Sequence, residues 1–188
     1  MLKSVAIAAL LAGLVLPAHA DEVSDTIRDA LSNYESGNTS AASQSLNYAV
    51  QLLSQISAER FATLLPEALP GWQAGEVDSQ SAGMALFGGG MQASRDYTRG
   101  SATVNIEMLG DSPLLGQFIG IFSNPAMMSA MGKPIRVGSQ TGLEDPDGKL
   151  VFVVANRFMI NIGGDAPRAD KLAYAGALDF AALSTFGN

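Results

Sequence analysis

Four sets of residues in this 188-residue chain are of types that could do chemistry. Phe87-Gly88-Gly89-Gly90-Met91 has the glycines of a phosphate-cradling loop. Such a loop needs a Lys and a Ser or Thr after its glycines and a helix beyond them, whereas Met91-Gln92-Ala93-Ser94 and a strand pattern follow here. The expectation is a loop or bulge before a strand, with the glycines beside Trp72, Met84 and Phe87 as a lip over an apolar groove. Glu144-Asp145-Pro146-Asp147-Gly148 gathers carboxylates, the donors Ca²⁺ takes, but lacks the twelve-residue loop and closing Glu of an EF-hand. Asp, Pro and Gly in that order predict a turn. Met127, Met128 and Met131 offer soft sulfur of the kind that binds Cu(I). With no His or Cys to join them, in an otherwise apolar helix, they read as flexible filling of a core. Arg95 and Asp179 each carry a charge on an apolar face, and a charge so placed must be paired or must reach outward. The expectation is that Asp179 is partly buried and bonded to Arg95 or Arg157.

Composition removes most catalytic chemistry. The chain has no Cys, and its one His is His19. Lys3, the apolar and small run Val5–Leu16 and the small-x-small ending Pro17-Ala18-His19-Ala20 have the layout of a secretory signal over residues 1–20, cut after Ala20. Twelve residues are too few to cross a bilayer, which takes about 20. No Cys follows them to carry a lipid. The mature chain is therefore expected to begin at Asp21 in the periplasm, with no transmembrane span, no His for acid–base work and no metal or other cofactor. No Ser stands near a Lys in a recognisable catalytic motif, so no catalytic residue is assigned. Beyond residue 20 there are 10 basic and 18 acidic residues, a net charge of −8. That balance argues against nucleic acid or anionic lipid head groups as partners.

The elements that must position these residues follow from periodicity. Val23, Ile27, Ala30, Leu31 and Tyr34 recur at helical steps; Ser36-Gly37-Asn38-Thr39 breaks the pattern, and Ala42, Leu46, Ala49, Leu53 and Ile56 form the seam of a second helix facing the first. Residues 21–66 are thus expected to be an antiparallel helical hairpin, ended by Pro66. Residues 67–188 read as an α+β sandwich of order β-β-β-α-β-β-β-α, with a mainly antiparallel sheet covered by helices. Strands are predicted at Trp72–Val77, Met91–Thr98 and Ser101–Met108, with Asp78–Gly83 as loop. Asp111-Ser112-Pro113 predicts a helix start, and the nineteen uncharged residues Pro113–Met131, interrupted at Asn124-Pro125, predict burial against the sheet. Beyond Lys133 come Ile135–Ser139 with Gln140–Leu143 as a strand or bent pair, then Leu150–Ala155, apolar on both faces, and Phe158–Ile162. A last helix is expected over Pro167–Leu183.

Tyr34, Gly37, Ala42, Leu46 and Ala49 resemble the small and large positions of one tetratricopeptide unit, one residue short between Tyr34 and Ala42 and with no second copy. The element order of residues 70–188 resembles the Mog1 and PsbP group of α-β-α sandwiches. That resemblance implies a binding or assembly factor rather than an enzyme, and it carries over no residue. Leu65-Pro66, Leu69-Pro70-Gly71-Trp72, Gly88-Gly89-Gly90-Met91 and Arg95-Asp96-Tyr97 are similar to segments of bacterial exported proteins without an assigned function. The functional expectation is a non-catalytic interaction protein whose hairpin or sheet face contacts another envelope protein, with Trp72, Phe87, Gly88, Gly89, Gly90, Met91 and Tyr34 as the candidate surface. The alternative is a carrier of a small apolar ligand, in a pocket between the sheet and the segment 113–131.

Overall fold

The computed structural model describes residues 18–80, 90–113 and 115–187. In chain order the elements are α1 (Ala18–Glu35), α2 (Thr39–Ala62), β1 (Gln73–Gln80), β2 (Met91–Arg99), β3 (Ala102–Gly110), α3 (Leu115–Phe122), α4 (Pro125–Met131), β4 (Lys133–Val137), β5 (Gln140–Glu144), β6 (Leu150–Val154), β7 (Phe158–Gly163), α5 (Arg168–Ala177) and α6 (Phe180–Thr185). The protein is α+β: a helix pair, then a sheet of seven strands ordered β1-β2-β3-β7-β6-β5-β4, every pairing antiparallel among the described residues. Two compact units divide after Ala49. The second half of α2 thus belongs with the sheet.

The sheet unit is built on the strict alternation of β3. Val104, Ile106 and Met108 are buried, while Thr103 and Asn105 are wet. Register aligns Ala93, Met108, Ile160 and Phe152 in one row across four strands. Over this face lie Ala58, Phe61, Ala62 and Leu65 from the end of α2 and its turn, and Tyr174, Ala175, Leu178 and Leu183 from the last helices. Phe61 stacks on Phe158 at 5.5 Å between ring centres and meets Phe186 at 5.4 Å. The proline-rich connection to β1 is anchored by two tyrosines: Tyr97 donates its hydroxyl to the Pro66 carbonyl at 2.6 Å, and the Leu69 N–H reaches the Tyr174 oxygen at 3.4 Å. Such partners let the polar ends of buried aromatic rings sit in a core.

Four expectations are corrected. The segment Pro113–Met131 does not fill the core: among its described residues only Leu115 and Met128 are buried, and neither belongs to the main cluster. Asn124 does cap α4, accepting from the Ala126 and Met127 N–H groups, and Met127 and Met131 of that helix are exposed. The predicted helix start at Asp111-Ser112-Pro113 is followed by α3 from Leu115, and Asp111, at a positive φ of 49°, has its carboxylate held by Arg157. The segment predicted from Ile135 as a strand or bent pair is a pair, the hairpin of β4 and β5 turning at Gly138-Ser139, so four strands follow α4 rather than the three of the predicted order. β1 runs on to Gln80 through the stretch expected as loop, and pairing with β2 is what holds it extended. The last helix is two, because Leu178 leaves helical geometry and Asp179 starts α6.

Candidate functional site

In the first unit, the seam between α1 and α2 is made of small side chains. Val23 and Ala30 of α1 and Ala42 and Ala49 of α2 are buried, and Ser45 is half-buried. With these small residues on the buried line, the larger side chains of both helices lie off it. Ile27 and Leu31, and Leu46 on α2, sit one helical step off that line and are displaced to the flank. Their exposures are 46%, 56% and 51%, with Tyr34 beyond them at 67%. The expected seam is therefore corrected: Ala42 and Ala49 belong to it, whereas Leu46 and Leu53 are exposed.

The opposite flank is polar. Tyr48 donates its hydroxyl to Glu22 Oε1 at 2.7 Å, and Ser45 Oγ reaches Asp29 Oδ2 at 3.2 Å, so α1 and α2 are tied on this side. The hydrogen bond to the Glu22 carboxylate, together with its charge, raises the pKa of the Tyr48 hydroxyl above its ordinary value. An open groove of about 590 Å³ lies here between Asp25, Thr26, Asp29, Gln44, Ser45 and Tyr48. Residues at matching heptad positions of antiparallel helices share a flank, so Ile27 and Leu31 fall on the same side as Leu46, away from this groove. α2 has no charged residue from Thr39 to Ala58. The hairpin thus has an acidic, hydrogen-bonded side and a greasy one bordered by Arg28 and Glu35.

In the sheet unit the expected surface residues do not assemble. Phe87, Gly88, Gly89 and Met84 lie outside the described residues, as does the run Val5–Leu16. Trp72 and Met91 are buried in the core cluster and offer no surface. They also lie at opposite ends of the β1–β2 pair: Gln73 next to Trp72 pairs with Thr98, whereas Gln80 pairs with Gln92 next to Met91. Six residues of strand separate those ends by about 20 Å. Gly90, at φ 123°, is packed so closely on Gly110 and Ser112 that a side chain there would strike them. An open groove of about 250 Å³ lies among Val50, Leu53, Ser54, Ser57, Gly90, Met91 and Asp111, with no described residue of α3 or α4 lining it.

The ion pair expected between Asp179 and an arginine is also corrected. Asp179 is exposed and accepts from the Ala182 N–H at 2.9 Å as the N-cap of α6. Arg95 does share the core face of β2 with Met91, Ala93 and Tyr97. It snorkels to the sheet edge, donating Nε to the Gly75 carbonyl at 2.9 Å and approaching Glu67 at 3.9 Å. The sheet-to-helix pair exists elsewhere: Arg99 meets Asp170 of α5 at 2.7 Å and covers the Trp72 ring at 4.5 Å.

Nor do the carboxylates near residue 145 form a cation cage. Arg168 takes Glu144 with both carboxylate oxygens within 2.9 Å, and Asp145 Oδ1 accepts from the Asp147 and Lys149 N–H groups. Among the described residues no three His, Cys, Asp or Glu side chains are grouped to hold a metal, and no helix is long and apolar enough to cross a membrane. What sequence reasoning missed is the outward turn of Ile27, Leu31 and Leu46. The available signal was the width of the apolar arc on α1, broader than one neighbouring helix can cover. No family model, no curated protein and no solved structure matches the chain.

Proposed function

We propose that this protein is an exported, non-catalytic accessory factor of the bacterial envelope that acts by protein–protein contact through its helical hairpin. The observation that carries the reading is the exposed face bearing Ile27, Leu31, Tyr34 and Leu46, an apolar surface of the kind that marks interaction sites. Export is supported by the layout of residues 1–20. A cut after Ala20 would remove three residues of α1 and leave Asp21 and Glu22 at its head, where carboxylates favour the positive end of the helix dipole. A binding role also suits the element order that resembles the Mog1 and PsbP group, and the acidity beyond residue 20 suits a protein partner better than nucleic acid. The carrier reading lacks such support, since α3 and α4 put Met127 and Met131 into solvent instead of roofing a pocket. The test is crosslinking of the exported protein in its own envelope, comparing the native chain with an Ile27→Lys, Leu46→Lys double variant. Loss of crosslinked species in the variant is the expected result; an unchanged pattern overturns the role of the hairpin.

A further inference from the structure

We infer that the apolar face of the hairpin is covered by a second copy of the same chain, the two hairpins pairing about a two-fold axis as a four-helix bundle. The inference rests on the hairpin being the contact surface, and names its occupant. Area is the first argument. Four large side chains, 46–67% exposed, leave on the order of 400–500 Å² of apolar surface, the size of the largest patch on a typical monomer, which is often functional. That is also about the apolar share of the ~800 Å² each partner gives to a stable interface.

Charge is the second argument. Glu22, Asp25 and Asp29 lie on the groove side, engaged with Tyr48, Arg28 and Ser45, and α2 is uncharged as far as Ala58. Beside the greasy residues stands one charge of each sign, Arg28 and Glu35, so the face has no net charge to draw a basic or an acidic partner. An anionic bilayer would meet the acidic α1, with five carboxylates against the lone Arg28, where surface-lying helices carry Lys and Arg. A second copy brings the same face without net charge and turns its Glu22, Asp25 and Asp29 outward, so those like charges stay apart. The third argument is shape. The small buried residues Ala30, Ala42 and Ala49 have larger exposed side chains beside them as ridges, the arrangement that interlocks with an identical pair in a bundle. A two-fold axis makes the contact isologous, so one patch serves both copies.

The experiment uses the chain expressed from its full sequence and purified as the host delivers it. Sedimentation equilibrium is run on the native chain and on Leu31→Lys and Leu46→Lys, with circular dichroism to check that these exposed substitutions leave the fold intact. The expected mass is twice that of one chain, and each lysine is expected to weaken association by about 30-fold or more, as loss of a buried interface anchor does. Because the chain has no Cys, single-cysteine variants give a second readout. Leu31→Cys and Leu46→Cys should oxidise to disulfide-linked dimers, and Gln44→Cys on the groove side should not. A protomer mass at every concentration, a dimer indifferent to both lysines, or preferential linkage through Gln44→Cys overturns the inference. If the chain is monomeric and the hairpin lysines still abolish envelope crosslinks, the second copy is refuted and the hairpin role stands. If crosslinks persist as well, both fall.

Discussion

Asp111 and Arg157 are joined by two parallel hydrogen bonds, Nε to Oδ1 and Nη2 to Oδ2, each 2.8 Å long. The same guanidinium gives Nη1 to the Phe186 carbonyl at 3.0 Å and lies 5.0 Å from the centre of the Phe158 ring. One side chain therefore clasps the end of β3, the start of β7 and the C-terminal turn. Both partners are about one-third exposed, which discounts the ion pair, so Arg157→Ala is expected to cost about 1–2 kcal/mol in urea unfolding. Arg157→Lys should recover little of it, since an ammonium cannot make the two-point contact. Full recovery by lysine would refute the geometric argument.

Asp165 Oδ1 accepts from the Thr103 hydroxyl at 2.8 Å and the Thr103 N–H at 2.6 Å, and these bonds hold its carboxyl pKa below the usual value, the hydroxyl bond being the larger cause. A depressed native pKa means the unfolded chain takes up the proton first as pH falls. The contribution is therefore present above about pH 3.9, the unfolded value, and is lost as pH drops through the native one. The Tm difference between the native protein and Asp165→Ala should be largest near neutrality and shrink in acid. A difference independent of pH would exclude the carboxylate as its source.

Tyr97 works at the other end of the scale. Burial, the main cause, pushes its hydroxyl up to about 12. The unfolded chain ionises near pH 10, so the stability from the protonated native hydroxyl is whole below that value and lost as pH rises toward about 12. Tyr97→Phe should lower stability at pH 7 by about 1–3 kcal/mol by orphaning the Pro66 carbonyl, and should flatten the alkaline decline. Thermal unfolding from pH 8 to 11.5 measures both effects, and an unaltered alkaline slope would count against Tyr97.

Phe61 is fully buried between Phe158 and Phe186. Phe61→Ala removes a whole ring from a packed site and should cost about 3–5 kcal/mol. Calorimetry should show the loss, with Phe61→Leu in between; a change under 1 kcal/mol would mean the site collapses freely.

Asp179 separates a cap from a buried charge by magnitude. Losing an N-cap costs about 1 kcal/mol, whereas breaking a buried ion pair costs about 3–5. Asp179→Ala should fall at the lower value, with Asp179→Ser restoring most of the loss. A loss at the higher value would contradict the exposed cap.

Much of the architecture was legible where one local rule decided it. The alternation of Val104, Ile106 and Met108 fixed the faces of β3, and Ser36-Gly37-Asn38 marked the turn between α1 and α2, because side-chain period and turn chemistry act over a few residues. Leu178 was misread for the same reason in reverse: Arg168–Thr185 keeps a helical pattern, and only the cap made by Asp179 splits it into α5 and α6. The uncharged stretch Pro113–Met131 misled because hydrophobicity says that a segment is greasy and not which of its sides is covered.

By itself the sequence determined the α+β class, the absence of thiol chemistry, the acidity and the presence of a hairpin, since these depend on composition and short-range pattern alone. Tertiary structure decided the rest: that Arg157 goes to Asp111 and Arg99 to Asp170, that Trp72 and Met91 lie buried far apart, and that Ala42 and Ala49 rather than Leu46 face α1. Each of these depends on which distant segments meet and how closely. Partners 46 or 71 residues apart, as in the two arginine pairs, leave no periodic trace in the chain. The width of a helix contact is set jointly by both helices.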